Sequence, residues 1–190
     1  MTQFTPYWWQ NQPQYRNTEV PPTKADCVVV GAGFTGLSAA LTLAQAGRDV
    51  VVLDSQAIGF GASTRNGGML GSGHKVSVAD AKKYYGSDIA AQLHCEANGS
   101  LDFTKSLIID HKINCDLQAS GRLRTAWTPQ DYSAMAQANR SLQKIEPFAA
   151  RMIKPNAMTE HINTPLYFGG LLYEGHACVQ PRKLHYGILQ

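Results

Sequence analysis

The chain has few of the features that mark a metal site or a disulfide-bonded scaffold. Its four cysteines, Cys27, Cys95, Cys115 and Cys178, are far apart and form no Cys-x-x-Cys pair. This spacing argues against a zinc site and a disulfide framework, and it favours a reducing compartment. His94 beside Cys95 is a poor ligand pair, because adjacent residues on a helix point in different directions. We therefore expect no bound metal.

Charge of one sign and long apolar runs are also scarce. The net charge is +3, and no basic run is longer than two residues, which is too little for a nucleic-acid surface. No apolar stretch approaches the roughly 20 residues of a membrane span. The start, MTQFTPYWWQ, lacks the charged and apolar regions of a secretory signal. We expect a cytoplasmic protein without nucleic-acid or membrane partners.

The most informative segment that is present reads ADCVVVGAGFTGLSAALTLAQAGRDVVVLD and ends at Asp54. An apolar strand at Cys27–Val30 leads into Gly-x-Gly-x-x-Gly, a helix follows, and a second strand covers Val50–Leu53. The uninterrupted apolar sequence Cys-Val-Val-Val of the first strand predicts a strand that is buried on both faces, as in a parallel sheet. This order predicts a βαβ unit that binds the ADP half of a dinucleotide.

Each motif position has a physical role. Gly31 permits the tight turn, Gly33 lets the main chain approach a pyrophosphate, and Gly36 lets the helix pack on the sheet. The unpaired N–H groups at the helix N-terminus would face the phosphates. Asp54 can accept both ribose hydroxyls of an adenosine and would repel a 2′-phosphate, which disfavours NADP.

A second glycine-rich run, IGFGASTRNGGMLGSG, begins at Ile58. So much glycine directly after the second strand predicts a loop whose backbone closely approaches a ligand. The short polar side chains within it, Ser63 to Asn66, supply hydrogen-bond donors. A flavin needs such a loop for its ribityl chain and ring system, whereas an NAD site does not. A flexible surface loop is the alternative interpretation.

Both runs, GAGFTGLSAALTLAQAGRDVVVLD and GFGASTRNGG, resemble the D-amino-acid-oxidase-like (DAO) superfamily of FAD-dependent oxidoreductases, and within it the gamma-glutamylputrescine oxidoreductase type. The resemblance extends to segments on both sides of these runs. They are Tyr7-Trp8-Trp9, Pro21-Pro22, Ile113 to Leu117, Gly121 to Leu123, Gly169 to Leu171, and Gln180 to Leu184.

The resemblance implies an enzyme that oxidises a C–N bond of an amine or amino acid by hydride transfer to FAD. Molecular oxygen or another acceptor would then take the electrons. A gamma-glutamylputrescine-like substrate, other polyamines, N-methyl amino acids and D-amino acids all stay open. The predicted cofactor-binding residues are Gly31, Gly33, Phe34, Thr35, Gly36, Asp54, Ser55, Gly61, Ala62, Ser63, Arg65, Asn66, Gly67 and Gly68.

No catalytic side chain can be assigned, because such a reaction does not require a side-chain base. Arg65 could stabilise negative charge on reduced flavin, or it could pair with a carboxylate. His74 could meet the flavin or face solvent. The loop from Gly59 to Gly73 has no His or Cys that could link the flavin, which favours non-covalent binding.

The fold class predicted is α/β, with a Rossmann-type FAD-binding βαβ domain followed by the start of an inserted α+β substrate domain. Residues 1–24 would be an arm docked through Tyr7, Trp8 and Trp9, or a peptide-binding motif. Residues 25–75 would hold the βαβ unit and flavin loop, and residues 76–190 the α+β region.

Within that region we expect a long helix to about His111, strands near 115–117 and 121–127, a helix opened by Thr128 and Pro129, and a strand near 166–173. Family members are about twice this length, and the chain stops inside an apparent helix. We therefore expect an N-terminal fragment.

Two other functions stay open from sequence. The chain could be a truncated, non-catalytic dinucleotide-binding module, or an NAD-linked dehydrogenase.

Overall fold

The computed structural model describes residues 5–10 and 20–190 and divides them into two compact units. The first contains the described residues up to Gly68, together with Leu107–Leu117 and Val179–Gln190. The second contains Met69–Ser106 and Gln118–Cys178. In the part of the chain so described, no helix combines the length and apolar character needed to cross a bilayer.

The first unit is built on the predicted βαβ element. Strand β1 (Cys27–Val30), helix α1 (Phe34–Gln45) and strand β2 (Val50–Leu53) follow one another, and the two strands pair in parallel with Cys27 opposite Val50. Beyond the end of α1, Gly47 has a φ of 77° and its N–H donates to the carbonyl of Ala44. This left-handed residue turns the chain back toward β2.

The expected burial of strand β1 on both faces is wrong. Along β1 the side chains alternate, and Val28 and Val30 are 57% and 85% exposed while Val29 is half-buried. The γ-carbon of Val29 lies next to the backbone of Gly36, so this face packs on α1. Among the described residues no layer covers the opposite face. A run of valines fits a strand with one covered face as well as one with two, which is why sequence could not distinguish them.

The C-terminal helix completes the first unit. Helix α5 (Pro181–Leu189) buries five of its residues: Pro181, Arg182, Leu184, His185 and Tyr186. Gly187 lies so close to Ile113 that a Cβ would collide with its side chain. Residues 107–117 and 179–190, which the sequence predicts to lie in the α+β region, thus group with the βαβ element.

The second unit contains a three-stranded antiparallel sheet. Its central strand, β6 (Gly170–Tyr173), pairs with β4 (Arg122–Thr125) and with β5 (Ala150–Ile153). Two short strands, β3 (Met69–Leu70) and β7 (Ala177–Cys178), form a separate antiparallel pair.

Three helices follow in this part of the chain: α2 (Val78–Tyr85), α3 (Ser87–Asp110), whose residues from Leu107 onward group with the first unit, and α4 (Pro129–Gln143). Helix α3 ends one residue before the predicted His111. Helix α4 has the expected N-terminus, with Pro129 in its first turn and a reciprocal capping box between Thr128 and Asp131.

Two strand predictions need correction. No strand forms at 115–117, because Asp116 has a φ of 53° and leaves the extended region, and only an isolated bridge joins Gln118 to Cys178. The strand predicted near 166–173 begins at Gly170, since Gly169 has a φ of 95°. Both differences depend on left-handed residues whose positions composition alone does not reveal.

Candidate dinucleotide site

The turn between β1 and α1 requires glycine at two positions. Gly31 has a φ of 100°, a conformation that L side chains rarely adopt. Gly36 lies in the first turn of α1, where a Cβ would collide with the carbonyl oxygen of Gly31. Gly33 is the residue before the helix, and a Cβ there would lie 3.1 Å from the hydroxyl of Ser63. The roles predicted for Gly31 and Gly36 therefore agree with the geometry of this turn.

The N-terminus of α1 presents backbone donors. Gly33 supplies no side-chain cap, and no acidic residue lies in the first turn. The amide of Phe34 donates to Ser63 Oγ at 2.9 Å. Ser63 belongs to the segment Gly59–Gly68, called the flavin loop below, so this loop contacts the N-terminus of the helix. A helix N-terminus carries partial positive charge and binds phosphate groups. This donor set fits the pyrophosphate of FAD, with the hydroxyl of Ser63 beside it.

Asp54, directly after β2, organises the backbone around it. Its Oδ1 accepts from the amide of Gln56 at 2.9 Å, and its Oδ2 accepts from the amide of Ala32 at 2.8 Å. These two bonds, that of Gln56 first, hold the pKa of Asp54 below its usual value. The side chain is exposed, and each carboxylate oxygen has a second lone pair. Both oxygens can therefore still accept ribose hydroxyls.

His185 on α5 holds the same residue, Ala32, through its carbonyl, and sequence reasoning missed it. The fully buried ring donates from Nε2 to the carbonyl of Ala32 at 2.5 Å. Burial has the largest effect on the pKa of His185 and lowers it, and the hydrogen bond to Ala32 partly opposes this by raising the pKa. The charge of Arg182 lowers the pKa further, and Asp54 has a smaller raising effect. A neutral histidine thus fixes the residue between Gly31 and Gly33.

No local signal could have identified His185. It lies 153 positions from Ala32 in the chain, and only tertiary packing brings α5 against the turn.

Several hydrogen bonds link residues within the flavin loop, Gly59–Gly68. The hydroxyl of Thr64, which is 0% exposed, donates to the carbonyl of Gly59 at 2.5 Å. The amide group of Asn66 donates to the carbonyl of Ser63 at 2.9 Å and accepts from the amide of Gly68 at 2.8 Å. Gly68 is buried, and a Cβ there would collide with the carbonyl of Val179. These hydrogen bonds and close contacts favour a defined loop conformation over the alternative interpretation as a flexible surface loop.

Arg65 contacts rings of its own chain. Its Nε donates to the carbonyl of Phe60 at 2.6 Å, and its guanidinium carbon lies 4.3 Å from the centre of the Phe60 ring. Within residues 5–10 and 20–190, no carboxylate lies at ion-pair distance from it. The structure thus offers no support for carboxylate pairing, and the role of Arg65 toward flavin stays a prediction. The other predicted residues are exposed: Thr35, Ser55, Gly61, Ala62 and Gly67.

A separate cavity of about 320 Å³ lies in the second unit and contains none of the predicted cofactor residues. His74 lines it together with apolar side chains of α2 and α3. This exposed histidine donates from Nε2 to the carbonyl of Leu93 at 2.9 Å. Among the described residues, no group of three or more His, Cys, Asp or Glu side chains could hold a metal ion.

Comparison with known proteins identifies the family. A family model described as DAO, FAD dependent oxidoreductase, matches residues 26–190. The chain belongs to the DAO family of FAD-dependent oxidoreductases. The family and the α/β fold predicted from the two glycine-rich runs are confirmed.

Three relatives of this DAO-family chain show how much of a longer protein it corresponds to. Gamma-glutamylputrescine oxidoreductase of Escherichia coli (strain K12) is 33% identical over 162 residues, which cover 85% of this chain and 38% of the relative. The structure of L-amino acid deaminase from Proteus myxofaciens, in complex with anthranilate, has a TM-score of 0.73 and 16% identity over 94% of this chain and 38% of that one.

The third, L-alpha-glycerophosphate oxidase from Mycoplasma pneumoniae, solved with FAD bound, has a TM-score of 0.66 and 15% identity over 86% of this chain and 41% of that one. The chain thus spans well under half the length of these relatives. At such identities the two solved structures establish the fold alone.

Proposed function

We propose that this chain forms the FAD-binding part of an oxidoreductase that oxidises a C–N bond of an amine or amino acid. The observation that carries the proposal is the junction of three elements in the first unit. There the N-terminus of α1, the Asp54 carboxylate and the hydrogen-bonded flavin loop come together, with Ser63 accepting from the amide of Phe34. Membership of the DAO family supports FAD as the dinucleotide.

Each group of residues would have a distinct task. The amides of the first turn of α1, with Ser63, would hold the pyrophosphate, and Asp54 would hold the adenosine ribose. Arg65, Asn66 and Gly67 would lie near the ribityl chain and the isoalloxazine. Bound FAD would supply a two-electron acceptor for the hydride on the carbon next to the substrate nitrogen. The chain's own contribution is orientation, because no side-chain base is needed.

The substrate class rests on relatives rather than on the fold. The Escherichia coli relative is named for gamma-glutamylputrescine, which supports a C–N bond as the site of oxidation. The Proteus structure is named for L-amino acids but is similar in fold alone. The Mycoplasma structure shares the fold but is named for glycerophosphate, so the fold by itself does not select the bond. Molecular oxygen or another electron acceptor, and a cytoplasmic location, stay predictions.

The test is a titration of the purified chain with FAD and, separately, with NADH, followed by visible absorption and fluorescence. We expect saturable FAD binding and none for NADH. Asp54→Asn should weaken FAD binding about tenfold or more, because a hydrogen bond to a charged acceptor is worth about 1.5–3 kcal/mol. Asp102→Asn, an exposed carboxylate on α3, is the matched control and should have no effect.

The outcomes separate the alternatives. Tight NADH binding without flavin would favour an NAD-linked dehydrogenase. FAD binding without turnover on amines or amino acids would favour a non-catalytic dinucleotide-binding module. If neither nucleotide binds, the chain alone does not form the site and the proposal fails for it.

A further inference from the structure

The aromatic arm, Tyr7–Trp9, lies against the flavin loop. These residues form one 3₁₀ turn and precede residues 26–190, so the match that identifies the family says nothing about them. Tyr7 does not dock as the sequence predicted, since it is 73% exposed and touches Trp8 edge-on. The two tryptophans make the contacts to the loop. The remainder of the predicted arm, 1–4 and 11–19, lies outside the described residues.

Both indole N–H groups bond to the loop. Trp9 Nε1 donates to the buried hydroxyl of Thr64 at 2.8 Å, and Trp8 Nε1 donates to the carbonyl of Asn66 at 2.6 Å. The side-chain amide of Gln180, which caps α5, donates in turn to the carbonyl of Trp8 at 3.0 Å. The arm is therefore tied to the loop and to α5. Because the indole donors are engaged within the chain, the geometry does not favour the peptide-binding alternative.

The ring of Trp9 also lies against two cations. The guanidinium carbon of Arg65 is 4.4 Å from its centre and that of Arg182 is 4.7 Å away. Phe60 contacts the same Arg65 and lies 6.0 Å from Trp9. The electron-rich indole face stabilises guanidinium groups and favours Arg over Lys in such stacks. In this arrangement rings rather than a carboxylate set the direction of Arg65.

We propose that Trp9 is a positioning residue that holds Arg65 and the flavin loop in the geometry that binds FAD. It acts through Arg65 and Thr64 and is not assigned a contact with the cofactor. The part of this inference that concerns FAD rests on the proposed function. The part that concerns the loop does not, because it follows from contacts within the chain.

The decisive measurement is amide hydrogen exchange of the intact chain without nucleotide. Loop amides such as those of Arg65 and Gly68 are hydrogen-bonded, and so their exchange reports loop opening. Trp9→Ala removes one hydrogen bond and two cation–π contacts, and loop exchange should accelerate about tenfold or more. Leu37 of α1, whose amide bonds to Gly33, should be unchanged.

Three further variants make the result specific. Trp9→Phe keeps a ring for Arg65 but no donor for Thr64, and should restore part of the protection. Arg65→Ala keeps the Trp9–Thr64 bond. Adding Trp9→Ala to Arg65→Ala should accelerate loop exchange less than Trp9→Ala does in the wild-type chain. Trp127→Ala, which removes an exposed indole stacked edge-on against Tyr167, is the matched control and should leave the loop unaffected.

Addition of FAD gives the second readout. In Trp9→Ala, FAD should bind about tenfold more weakly, and the visible band of bound flavin should shift toward that of free flavin. Trp9→Phe should recover much of both. If wild type binds no FAD, the proposed function fails while the exchange data still test Trp9.

Unchanged loop exchange in folded Trp9→Ala overturns the inference. If Trp9→Ala unfolds throughout, Trp9→Phe and Arg65→Ala provide the test instead. Unchanged loop exchange in both of these variants overturns the inference.

Discussion

At the scale of single residues, the backbone of Ala32 shows how a short turn is fixed by distant side chains. Its N–H donates to Asp54 and its carbonyl accepts from His185, so both ends of one residue are held between the two motif glycines. Asp54 is recognisable from its place after β2, because an acid there is part of the βαβ pattern. His185 is not, because its role exists only once α5 packs on the turn.

Gly36 supports a prediction about stability. Gly36→Ala should lower the free energy of unfolding by about 2 kcal/mol or more, because the new Cβ collides with the carbonyl of Gly31. Gly99→Ala is the matched control, since a Cβ on this helical glycine meets nothing and should stabilise by about 0.5–1 kcal/mol. Urea denaturation measures both, and equal effects would contradict the role of Gly36.

His185 supports a prediction about pH. Its folded-state pKa is lowered, so its contribution to stability is complete above the unfolded value of 6.5 and is lost as pH falls through the folded value. Between pH 7 and 5 the free energy of unfolding should fall, by at most about 1.4 kcal/mol per pH unit for this group. His185→Gln keeps a donor for Ala32 but cannot titrate, so its free energy of unfolding should depend less on pH over this range.

The free energy of unfolding of His185→Gln should still fall somewhat with falling pH, because burial also lowers the pKa of His176. Asp54, with its lowered pKa, titrates below this window. The measurement is urea denaturation at a series of pH values. An identical slope in wild type and His185→Gln would show that His185 does not titrate with folding.

At the scale of elements, strand β1 has one packed face and one exposed face. Val29 faces α1, whereas Val28 and Val30 are largely exposed. The start of helix α4 follows from a local signal, the Thr128 capping box, which the sequence shows. Which faces of a strand are covered depends on the elements that pack on it, and a run of valines does not show this.

A pair of substitutions tests this assignment. Val29→Thr should destabilise by about 1–2 kcal/mol, because it places a hydroxyl against α1. Val30→Thr should change stability by less than about 0.5 kcal/mol, since its side chain is exposed and Thr also favours strands. Thermal or urea unfolding of the two variants provides the comparison. Equal losses would mean that both faces of β1 are packed.

At the scale of the whole molecule, the first unit is discontinuous in sequence. Its βαβ element is local, but α5 and residues 107–117 join it from far along the chain. The sequence-based boundary near residue 75 could not show this, because composition marks loops and does not mark which distant helix packs on which sheet. The substrate-domain role of the α+β region stays a prediction.

Removal of α5 tests that dependence. A chain of residues 1–178 should lose exchange protection in α1, β1 and β2, although these elements are complete in it, because five buried residues of α5 are missing. The β4–β6–β5 sheet contains no residue beyond 178 and should retain its protection. Protection of α1 that survives the truncation would show that the βαβ element is stable alone.

The sequence by itself determined the βαβ unit, the need for Gly31 and Gly36, the acid at Asp54 and the DAO family. These depend on backbone geometry within a few residues or on close spacing, and both can be read along the chain. Tertiary structure alone decided that His185 holds Ala32, that Trp9 stacks on Arg65, and that Val30 is exposed. Such contacts join residues dozens to more than a hundred positions apart, and they exist only once the helices and the arm have packed.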